Sequence, residues 1–431
     1  MALESFFRGG DVLRISLAQV ALLAWVLPAC FGQAHPAHKE SPIRADGIIR
    51  PSSLKGAETA YLPELFSMSH ASNLVALRNE DLLCFYFSGK VEGASNVAIV
   101  MSRLPKGSHQ WTKPVVVAQR AGHSLQNPVP FEPSAGHLWL LHTAQVGLNE
   151  DTAEIFRQES TDNGRTWSKP TVLFAKPGSY DRNKFVVMKP GEWMLPMYHM
   201  PSASIVEGAN QDYSAVQITT DGGRHWKECA IPGSDGLVQP SVVKLSAHRY
   251  LALMRSRDAD WIYQSTSADG CDWSRPIATV LPNNNSSIQL MRLRDGHLVL
   301  AFNNSQAQTV RGNPMVSWRR PLSVALSVNG GNTWDWVRDV ERGRLWMKWN
   351  GDETADEYSY PSIIQARDGM LYLSYTYNRK TIKVMSFREG WIKRGTTDGE
   401  YKPEVDAHGR PMHWQHGRRI KERDEPTGIL I

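Results

Sequence analysis

The chain has 431 residues, of which 48 are Lys or Arg and 43 are Asp or Glu. The small basic excess is scattered along the sequence, so it gives no argument for nucleic-acid binding, although a mildly basic surface is compatible with an acidic glycan as partner. The length allows two ordinary domains. Because one repeat occupies most of the chain, we expect a single domain instead.

An apolar run near the N-terminus predicts export of the protein. Residues 15–27 follow two arginines and are too few to span a membrane, which is typical of a secretory signal peptide. We predict cleavage after Ala34, a signal peptide over residues 1–34, and a mature protein that is secreted or periplasmic. The Leu-Pro-Ala-Cys sequence that ends at Cys30 resembles a bacterial lipobox, so a lipid anchor is the alternative to simple secretion. No membrane-spanning segment is expected.

One short motif recurs along the chain and organises the rest of it. Its form is Ser/Thr-x-Asp-x-Gly-x-x-Trp at residues 160–167 and 219–226, with Asn for Asp at residues 327–334 and one residue fewer at 267–273. A weaker copy without the Asp spans residues 102–111. The pattern predicts a tight hairpin turn, because Asp accepts backbone N–H bonds, Gly takes a positive φ and Trp packs under the strands.

The tryptophans that close these motifs, with one further candidate downstream, recur roughly every fifty to sixty residues, a period typical of propellers. They are Trp111, Trp167, Trp226, Trp273, Trp334 and Trp391. Short apolar strands lie between them, and we find no amphipathic helical pattern, which excludes repeats of alternating strands and helices. We therefore predict an all-β fold, a six-bladed β-propeller of four-stranded antiparallel blades.

The predicted propeller spans residues 61–395. Residues 35–60 are polar and Pro-rich, which predicts a strand-poor lead-in segment, and residues 396–431 are charged without an apolar period, which predicts a loosely ordered tail.

Three cysteines remain after the predicted signal peptide: Cys84, Cys229 and Cys271. Their number is odd and their spacing does not suit a metal, so a disulfide scaffold is excluded. Cys229 and Cys271 lie next to successive turn motifs and are able to pair, but buried free thiols are the expected state. Histidines and acidic residues do not cluster at metal-ligand spacing, so we expect no cofactor and no catalytic metal.

The repeated turns resemble the Asp boxes of sialidases, and the strands between them resemble the wider sialidase-like (BNR-repeat) family of secreted bacterial proteins. The resemblance covers roughly residues 60–395. It implies a site with three arginines for a substrate carboxylate, a tyrosine nucleophile activated by a glutamate, and an acidic residue as acid/base. A neutral tyrosine suits an anionic sugar, because the substrate's own charge repels a carboxylate nucleophile.

Several positions match this arrangement. Arg255 corresponds to the second arginine, Arg320 is placed like the third, and Tyr360 is placed like the nucleophile. Glu92 falls in the acid/base position, where the family has Asp. Arg379 is a further candidate for the anion clamp. Ordinary ion pairing between blades is the alternative role for strand-end arginines.

Two positions depart from the family pattern. The first arginine is missing, because His70 and the two residues after it stand in its place. Gln239, which precedes Pro240, replaces the glutamate that activates the tyrosine, and an amide cannot act as a base. Further candidates for substrate contact are His70, His123, Gln126, Asn127, Tyr198, Asn303 and Tyr358.

These residues leave three functions open. The first is a glycosidase of the exo-α-sialidase type that acts on a terminal, carboxylate-bearing sugar, with Tyr360 as nucleophile, Glu92 as acid/base and Gln239 orienting the tyrosine. The second is a polysaccharide lyase acting on a uronate, in which a neutral His or Tyr takes the proton beside the carboxylate, with Tyr198 as a second possible base. The third is a propeller that binds an acidic glycan without turnover.

The catalytic hypotheses require one geometry. The predicted site residues must gather at one mouth of the propeller, with at least two arginines within reach of one carboxylate and with Glu357 and Gln239 as polar partners for the charges. The motif carboxylates Asp162, Asp221 and Asp269 are expected well away from that mouth. The gathering residues are Glu92, Gln239, Arg255, Arg320, Tyr360 and Arg379.

Overall fold

A computed structural model describes residues 43–201, 211–310, 313–347, 353–403 and 421–422. The predicted signal peptide, its cleavage site and the Cys30 anchor lie outside these residues. Within them the chain is almost entirely antiparallel β-sheet, with one short helix, α1 (Glu389–Ile392). None of the described helices is long and apolar enough to cross a membrane. The predicted all-β class is confirmed.

The sheets form the six blades of a β-propeller, as predicted. The first strands of the chain are β1 (Arg50–Pro51) and β2 (Ala57–Tyr61). Blade one follows as β3 (Met68–Ala76), β4 (Leu82–Gly89), β5 (Ala98–Leu104) and β6 (Val115–Ala118). Blade two is β7 (His123–Ser134), β8 (His137–Val146), β9 (Asn149–Ser160) and β10 (Thr171–Phe174). Blade three has an inner strand in two pieces, β11 (Ser179–Asp181) and β12 (Val186–Lys189), then β13 (Glu192–His199), β14 (Tyr213–Thr219) and β15 (Lys227–Ala230).

The second half of the ring repeats this plan. Blade four is β16 (Leu237–Ser246), β17 (Arg249–Ser256), β18 (Trp261–Ser267) and β19 (Ile277–Pro282). Blade five is β20 (Gln289–Arg292), β21 (Leu298–Asn303), β24 (Leu322–Ser327) and β25 (Trp336–Glu341), with the inserted hairpin β22 (Gln308–Val310) and β23 (Asn313–Val316). A second hairpin, β26 (Leu345–Met347) and β27 (Glu353–Ala355), leads to blade six, which is β28 (Tyr358–Gln365), β29 (Leu371–Tyr377) and β30 (Thr381–Phe387).

The N-terminal strands close the ring. β2 pairs antiparallel with β30 over Ala57–Tyr61, and β1 pairs with β2, so blade six combines both ends of the propeller sequence. Most of β2 falls in the segment that the sequence predicts to be a strand-poor lead-in. A closing strand of this kind pairs the exposed edge of the last blade, which would otherwise be open to pairing with another chain.

Part of the predicted loose tail is also packed. Thr397 donates a hydrogen bond to Asp339 at 2.6 Å, and Tyr401 is buried with its hydroxyl on the carbonyl of Trp334 at 3.0 Å. Farther along, the two-residue strand β31 (Lys421–Glu422) pairs with β19. The predicted loose tail therefore contributes contacts to blades four and five.

The repeated turn has the predicted hydrogen bonds. In the copy at Asp162, one carboxylate oxygen accepts from the backbone N–H groups of Arg165 and Thr166, both at 2.9 Å. The hydroxyl of Ser160 in turn accepts from the N–H of Gly164 at 2.8 Å. These bonds, with the Thr166 hydroxyl foremost, hold the pKa of the Asp162 carboxyl well below its usual range. The turn is thus closed by side chains that must stand at a fixed spacing.

Each turn also fastens its blade to the preceding one. The carbonyl of Asn163 in blade two accepts from Arg103 of blade one at 2.6 Å, and Gly164 lies against Leu83 of the same blade. In the next copy, a Cβ at Gly223 would come within 2.3 Å of Trp139 in blade two. The glycine therefore allows a positive φ and, at the same time, close approach to the neighbouring blade.

Inner strands carry a bulge near their start. The ladder skips two residues after His70 in β3, after Gln126 in β7, after Val238 in β16 and after Ser359 in β28. The first skipped residue has a positive φ in every case, and these residues are Ala71 (53°), Asn127 (50°), Gln239 (53°) and Tyr360 (52°). Asn285, just before β20, has the same conformation (56°). A bulge re-aims the side chain, so equivalent positions of different blades face one end of the axis.

Cys229 and Cys271 form a disulfide, contrary to the expected free thiols. The ladder of blade three ends at β15, which carries Cys229, and the turn motif of blade four brings Cys271 against it. The bond joins these two blades. Cys84 remains free and buried, and burial raises the pKa of its thiol to about 12.

Removing this disulfide should lower the stability of the propeller. Because a cross-link over 42 residues restricts the unfolded chain, the double variant Cys229→Ser/Cys271→Ser is expected to lose about 2–4 kcal/mol of unfolding free energy. Urea denaturation of both proteins measures the difference. Wild-type protein with a reductant is the control, and it should match the double variant. Equal stability of the double variant and of the wild type without reductant would contradict a structural role for the bond.

Candidate functional site

Loops that join second to third strands lie at one end of the propeller, and the described residues include those of the β4–β5, β8–β9, β17–β18 and β29–β30 hairpins. In each blade the second strand runs antiparallel to the inner strand, so it ends near the bulge at the start of the inner strand. A hairpin at that end then leads to the third strand. Arg255 accordingly stands opposite Val238 in the ladder of β16 and β17. Glu92 lies on the β4–β5 hairpin and Arg379 on the β29–β30 hairpin. The turn motifs join third to fourth strands at the opposite end, so Asp162 and its equivalents lie away from this mouth, as predicted.

Tyr360 is the centre of this mouth. The bulge in β28 turns its side chain toward the axis, and the residue is only 9% exposed. Three guanidinium carbons surround its ring, with Arg182 at 5.3 Å, Arg255 at 5.8 Å and Arg319 at 5.2 Å from the ring centroid. Burial opposes ionisation of the phenol, but Arg255 and Arg319 outweigh it, so the pKa of Tyr360 is lowered.

Arg255 connects the tyrosine to the bulges of blades four and five. Its Nη1 donates to the Tyr360 hydroxyl at 2.8 Å and to Oε1 of Gln239 at 3.0 Å, while its Nε donates to Oδ1 of Asn285 at 2.8 Å. The side chain is buried, and burial lowers its pKa. Three neutral or aromatic partners thus hold one guanidinium in a single orientation.

Arg319, and not Arg320, stands beside Tyr360. Tyr358 N–H donates to the Arg319 carbonyl at 3.0 Å, which fixes this segment against blade six. The Arg320 N–H donates to the Trp318 carbonyl at 2.8 Å, so the chain turns at Arg319, and the Arg319 side chain lies over the Tyr360 ring. Arg320 instead packs near Gly343, and its closest electrostatic partners are Asp356 and Tyr358.

Glu357 joins two arginines of the mouth, as predicted. Its carboxylate accepts from Arg319 Nη1 at 3.1 Å and from Arg379 Nε at 2.9 Å. Burial alone would raise the pKa of the Glu357 carboxyl, but the two arginines have the larger effect and its pKa is lowered. The carboxylate is therefore the stable form. Arg379 also forms an ion pair with Glu92. The chain Glu92–Arg379–Glu357–Arg319 therefore lines one side of the site.

Arg182 closes the axis beneath Tyr360. Its side chain is fully buried and donates to the carbonyls of Ser72 (3.1 Å) and Tyr360 (3.0 Å), and to the hydroxyl of Ser287 (3.2 Å). Burial lowers its pKa to about 10, so it stays charged near neutral pH. Arg182 was not predicted from the sequence, because nothing in the residues around it indicates a buried arginine held by backbone carbonyls of other blades.

His70 packs against the tyrosine at 4.4 Å between ring centroids. It is completely buried, and its Nδ1 is 2.8 Å from the Thr376 hydroxyl. Burial and then the nearby arginines hold its pKa well below the usual range, so the imidazole is neutral. This residue occupies the position of the missing first arginine.

Two further side chains belong to the surroundings of the mouth. Tyr198 is stacked on Tyr180 at 5.1 Å, and burial raises its pKa beyond the usual range; its electrostatic partners include Tyr360 and Arg255. Glu150 lies on the β8–β9 hairpin and was missed by the sequence analysis. Much of its side chain is accessible, yet desolvation by the surrounding loops raises the pKa of its carboxyl, and Arg255 and Glu92 are among its partners.

The structure gives other predicted contact residues a packing role. Asn303 is fully buried and donates to the carbonyls of Pro321 (3.2 Å) and Tyr358 (2.8 Å), and the Tyr358 ring lies against Tyr377 at 5.1 Å. Neither presents a polar group to a sugar. His123 lies at the start of β7 with its Nδ1 2.9 Å from the carbonyl of Ala121. Gln126 and Asn127 occupy the buried bulge of blade two.

The described residues contain one group with the spacing of metal ligands: Asp295, His297 and Glu389. It lies at the turn between β20 and β21 and at α1, and the lysine Lys393 pairs with Glu389 at 3.0 Å. No side chain of the Tyr360 mouth belongs to this group.

Comparison with known proteins agrees with this architecture. The family model described as BNR repeat-like domain matches residues 80–373. The fold places the protein in the class of sialidase-like β-propellers. Because the match covers more than half of the chain, the protein belongs to the BNR repeat-like family. No curated protein matches its sequence.

Several solved sialidases share the fold at low sequence identity. The Hadza microbial sialidase Hz136 is 16% identical, with a TM-score of 0.60 over 76% of this chain and 67% of that one. The NanB sialidase of Streptococcus pneumoniae is 12% identical, with a TM-score of 0.59 over 81% and 71% of the two chains. The intramolecular trans-sialidase of Ruminococcus gnavus is 12% identical, with a TM-score of 0.61 over 81% of this chain and 99% of that one.

Proposed function

We propose that this protein is a secreted glycoside hydrolase that acts on a terminal sugar bearing a carboxylate. The observation that carries the proposal is the surroundings of Tyr360: three arginines around one buried phenol of lowered pKa. The excess of positive charge at the mouth supports an anionic substrate. Four arginines face two carboxylates there, since Glu92 and Glu357 neutralise only part of the cluster formed by Arg182, Arg255, Arg319 and Arg379.

In the proposed reaction Tyr360, after losing its proton to solvent, attacks the anomeric carbon as the phenolate, while the bond to the glycosidic oxygen breaks and that oxygen leaves with a proton from a carboxyl at the rim. In the second step water attacks the same carbon, gives a proton to a rim carboxylate and releases the Tyr360 oxygen. Arg255 donates to this oxygen and stabilises the phenolate, which takes over the task that a glutamate base performs in related sites. Gln239 holds Arg255 without adding negative charge, so it favours the phenolate where a carboxylate would repel it. Arg255 and Arg319 together present N–H groups to the substrate carboxylate.

Proton transfer to the leaving group falls to a carboxyl at the rim. Glu92 is the acid/base predicted from the sequence; it forms an ion pair with Arg379 at the rim, and we assign it the activation of water in the second step. Glu150 holds its proton more readily, because desolvation raises its pKa, and is a second candidate for the acid of the first step.

Secretion is part of the proposal and receives independent support. The Cys229–Cys271 disulfide favours an oxidising compartment, such as the periplasm or the cell exterior. Expression of the full chain in a bacterium, followed by N-terminal sequencing of the exported protein, tests the predicted cleavage after Ala34. Retention in the cytoplasm with an intact N-terminus would contradict it.

A screen of acidic glycans tests the activity. Purified protein is incubated with sialylated, glucuronate-ended and other carboxylate-bearing oligosaccharides, and the products are identified by mass spectrometry in water enriched in oxygen-18. A hydrolase releases the terminal acidic sugar with one labelled oxygen. Protein that binds an acidic glycan and returns it unchanged would leave the non-catalytic alternative.

A uronate lyase is the second candidate, and one observation favours it. Tyr360 has a lowered pKa, and in the part of the chain that the structure describes its hydroxyl is bonded to Arg255 and not to a carboxylate, an arrangement that suits direct proton abstraction next to an arginine-neutralised carboxylate. The same screen separates the two, because β-elimination produces an unsaturated uronate and incorporates no oxygen from water.

A further inference from the structure

A cavity of about 570 Å³ lies at the end of the propeller opposite to Tyr360. Its walls are the far halves of the inner strands β12, β16 and β20, which run away from the bulges. Apolar side chains form much of the lining, among them Val186, Val242 and Leu290. Nothing in the proposed reaction uses this cavity.

Three cations line the same cavity: Lys184, Lys244 and Arg292. Lys184 Nζ donates to Asn73 Oδ1 at 2.8 Å and to the carbonyl of Leu74, and Lys244 Nζ donates to the carbonyl of Met188 at 2.6 Å. In the part of the chain that the structure describes, these lysines bond to neutral oxygens and not to carboxylates. An ammonium group has three N–H donors, so each lysine keeps donor capacity for a ligand.

Lys184 is held without a counter-charge. Burial lowers its pKa to about 7, Arg182 on the same segment lowers it further, and the Cys84 thiol of β4 has only a small opposing effect. The remaining charged groups at the cavity, Lys244 and Arg292, are also positive. An ammonium in such surroundings is stabilised by any anion that enters the cavity, because the anion supplies the missing opposite charge.

We propose that this cavity is a second binding site, which takes a small organic anion with its oxyanion against Lys184 and its apolar part against the valine and leucine walls. The volume suits a ligand of one or two sugar rings or a short acid. A carboxylate and a phosphate share the chemistry that Lys184 recognises. The site is separate from the Tyr360 mouth, so the proposal does not depend on the proposed reaction.

Calorimetry at two pH values tests the site. Wild-type protein is titrated with hexanoate, glucuronate and inorganic phosphate at pH 6.0 and pH 8.5. Below a pKa of about 7 Lys184 is charged and ready to bind, whereas at pH 8.5 it must first take up a proton. The affinity for hexanoate and glucuronate, whose own charge does not change over this range, is therefore expected to fall about 30-fold. Stronger binding of hexanoate than of phosphate would identify a carboxylate ligand with an apolar part, and the reverse would identify a phosphate.

Variants separate this site from other sources of binding. Lys184→Met should remove both the binding and its pH dependence, while Lys189→Met changes an exposed lysine that pairs with Glu192 and should leave both unchanged. Arg292→Ala, at the rim, should weaken binding severalfold but keep the pH dependence. Arg255→Met removes a carboxylate anchor of the Tyr360 mouth and should leave the binding of hexanoate and its pH dependence unchanged.

The same titrations define how the proposal fails. No heat from any of the three anions at millimolar concentration would overturn it. Equal affinity in Lys184→Met, if that variant folds, would also overturn it, and so would loss of binding in Arg255→Met, which would place the anion at the Tyr360 mouth. If Lys184→Met does not fold, Arg292→Ala decides: unchanged affinity in that variant contradicts the site.

Discussion

Replacing Tyr360 by phenylalanine is expected to reduce kcat on an acidic glycan about a thousandfold or more, with substrate affinity changed less than about tenfold. The variant keeps the ring that packs against His70 and the arginines, but it removes the oxygen that Arg255 contacts. Because that oxygen is the proposed nucleophile, its loss affects the chemical step and not the anchoring of the carboxylate. Steady-state kinetics and calorimetry on the same preparation measure the two effects separately.

Two matched tyrosine variants control this experiment. Tyr213→Phe removes a hydroxyl that accepts from Lys176 at 2.8 Å outside the mouth, and it should behave like wild type. Tyr198→Phe removes the second possible base. A large loss in Tyr198→Phe together with a small loss in Tyr360→Phe would reverse the roles of the two residues and favour the lyase. Full activity in Tyr360→Phe would remove the basis of the catalytic proposal.

The fold was predictable because its most repeated element depends on side chains of fixed type. The turn at Asp162 needs a carboxylate for two backbone N–H groups, a hydroxyl at Ser160 and a glycine that lies against the preceding blade. Because each turn has these requirements, the same residue types recur at the same spacing in several blades, and this repeat can be recognised in a single sequence. The closing strand β2 leaves no such mark, because it contributes backbone hydrogen bonds to β30, and many side chains satisfy that pairing.

The site was only partly predictable, for a related physical reason. Tyr360 and Gln239 occupy equivalent bulges, each followed by proline, as does Asn127 in blade two. This X-Pro pattern at inner strands is a second repeat signal in the sequence. It marks the residues whose side chains face the mouth, since a proline after the bulged residue needs no ladder hydrogen bond.

The arginines were harder to assign than the bulge residues. Arg319 and Arg320 are adjacent, and the backbone bonds of this segment, from Tyr358 to the Arg319 carbonyl and from Arg320 to the Trp318 carbonyl, accompany the placement of Arg319 beside Tyr360. Arg182 is specified by carbonyls from two other blades, which no local pattern reveals. Long-range contacts of this kind decide the electrostatics of the mouth, while the local sequence decides where the strands and turns lie.

The arrangement of charge explains why so many arginines coexist. Glu357 forms ion pairs with Arg319 and with Arg379, and Glu92 forms a second ion pair with Arg379. Arg255 has only neutral partners and the phenol, so its charge acts on Tyr360 and on an incoming carboxylate. Buried cations without counter-ions are unfavourable, and a site that keeps one is prepared for an anion.

Arg255→Met is the second variant for which we expect a large loss of activity. The pH profile of the variant shows in which direction the pKa of Tyr360 changes. Arg255 is the strongest of the groups that lower the pKa of Tyr360, so its removal raises that pKa. If the phenolate is the reactive form, kcat rises with pH through this pKa, and the rising limb of the profile moves to higher pH in the variant. At neutral pH we expect a loss of kcat/KM of about 10³-fold, because the variant also loses a carboxylate anchor.

A graded series makes this prediction specific to Tyr360. Arg255→Lys keeps the positive charge but not the three directed hydrogen bonds. The rising limb of its pH profile should therefore shift to higher pH by less than that of Arg255→Met. Arg103→Lys is the control, since that arginine pairs with Asp81 at 2.8 Å at the opposite end of the propeller and should leave the profile unchanged. A loss of activity in Arg255→Met without any movement of the limb would show that Arg255 only anchors the substrate, and that Tyr360 does not react as a phenolate.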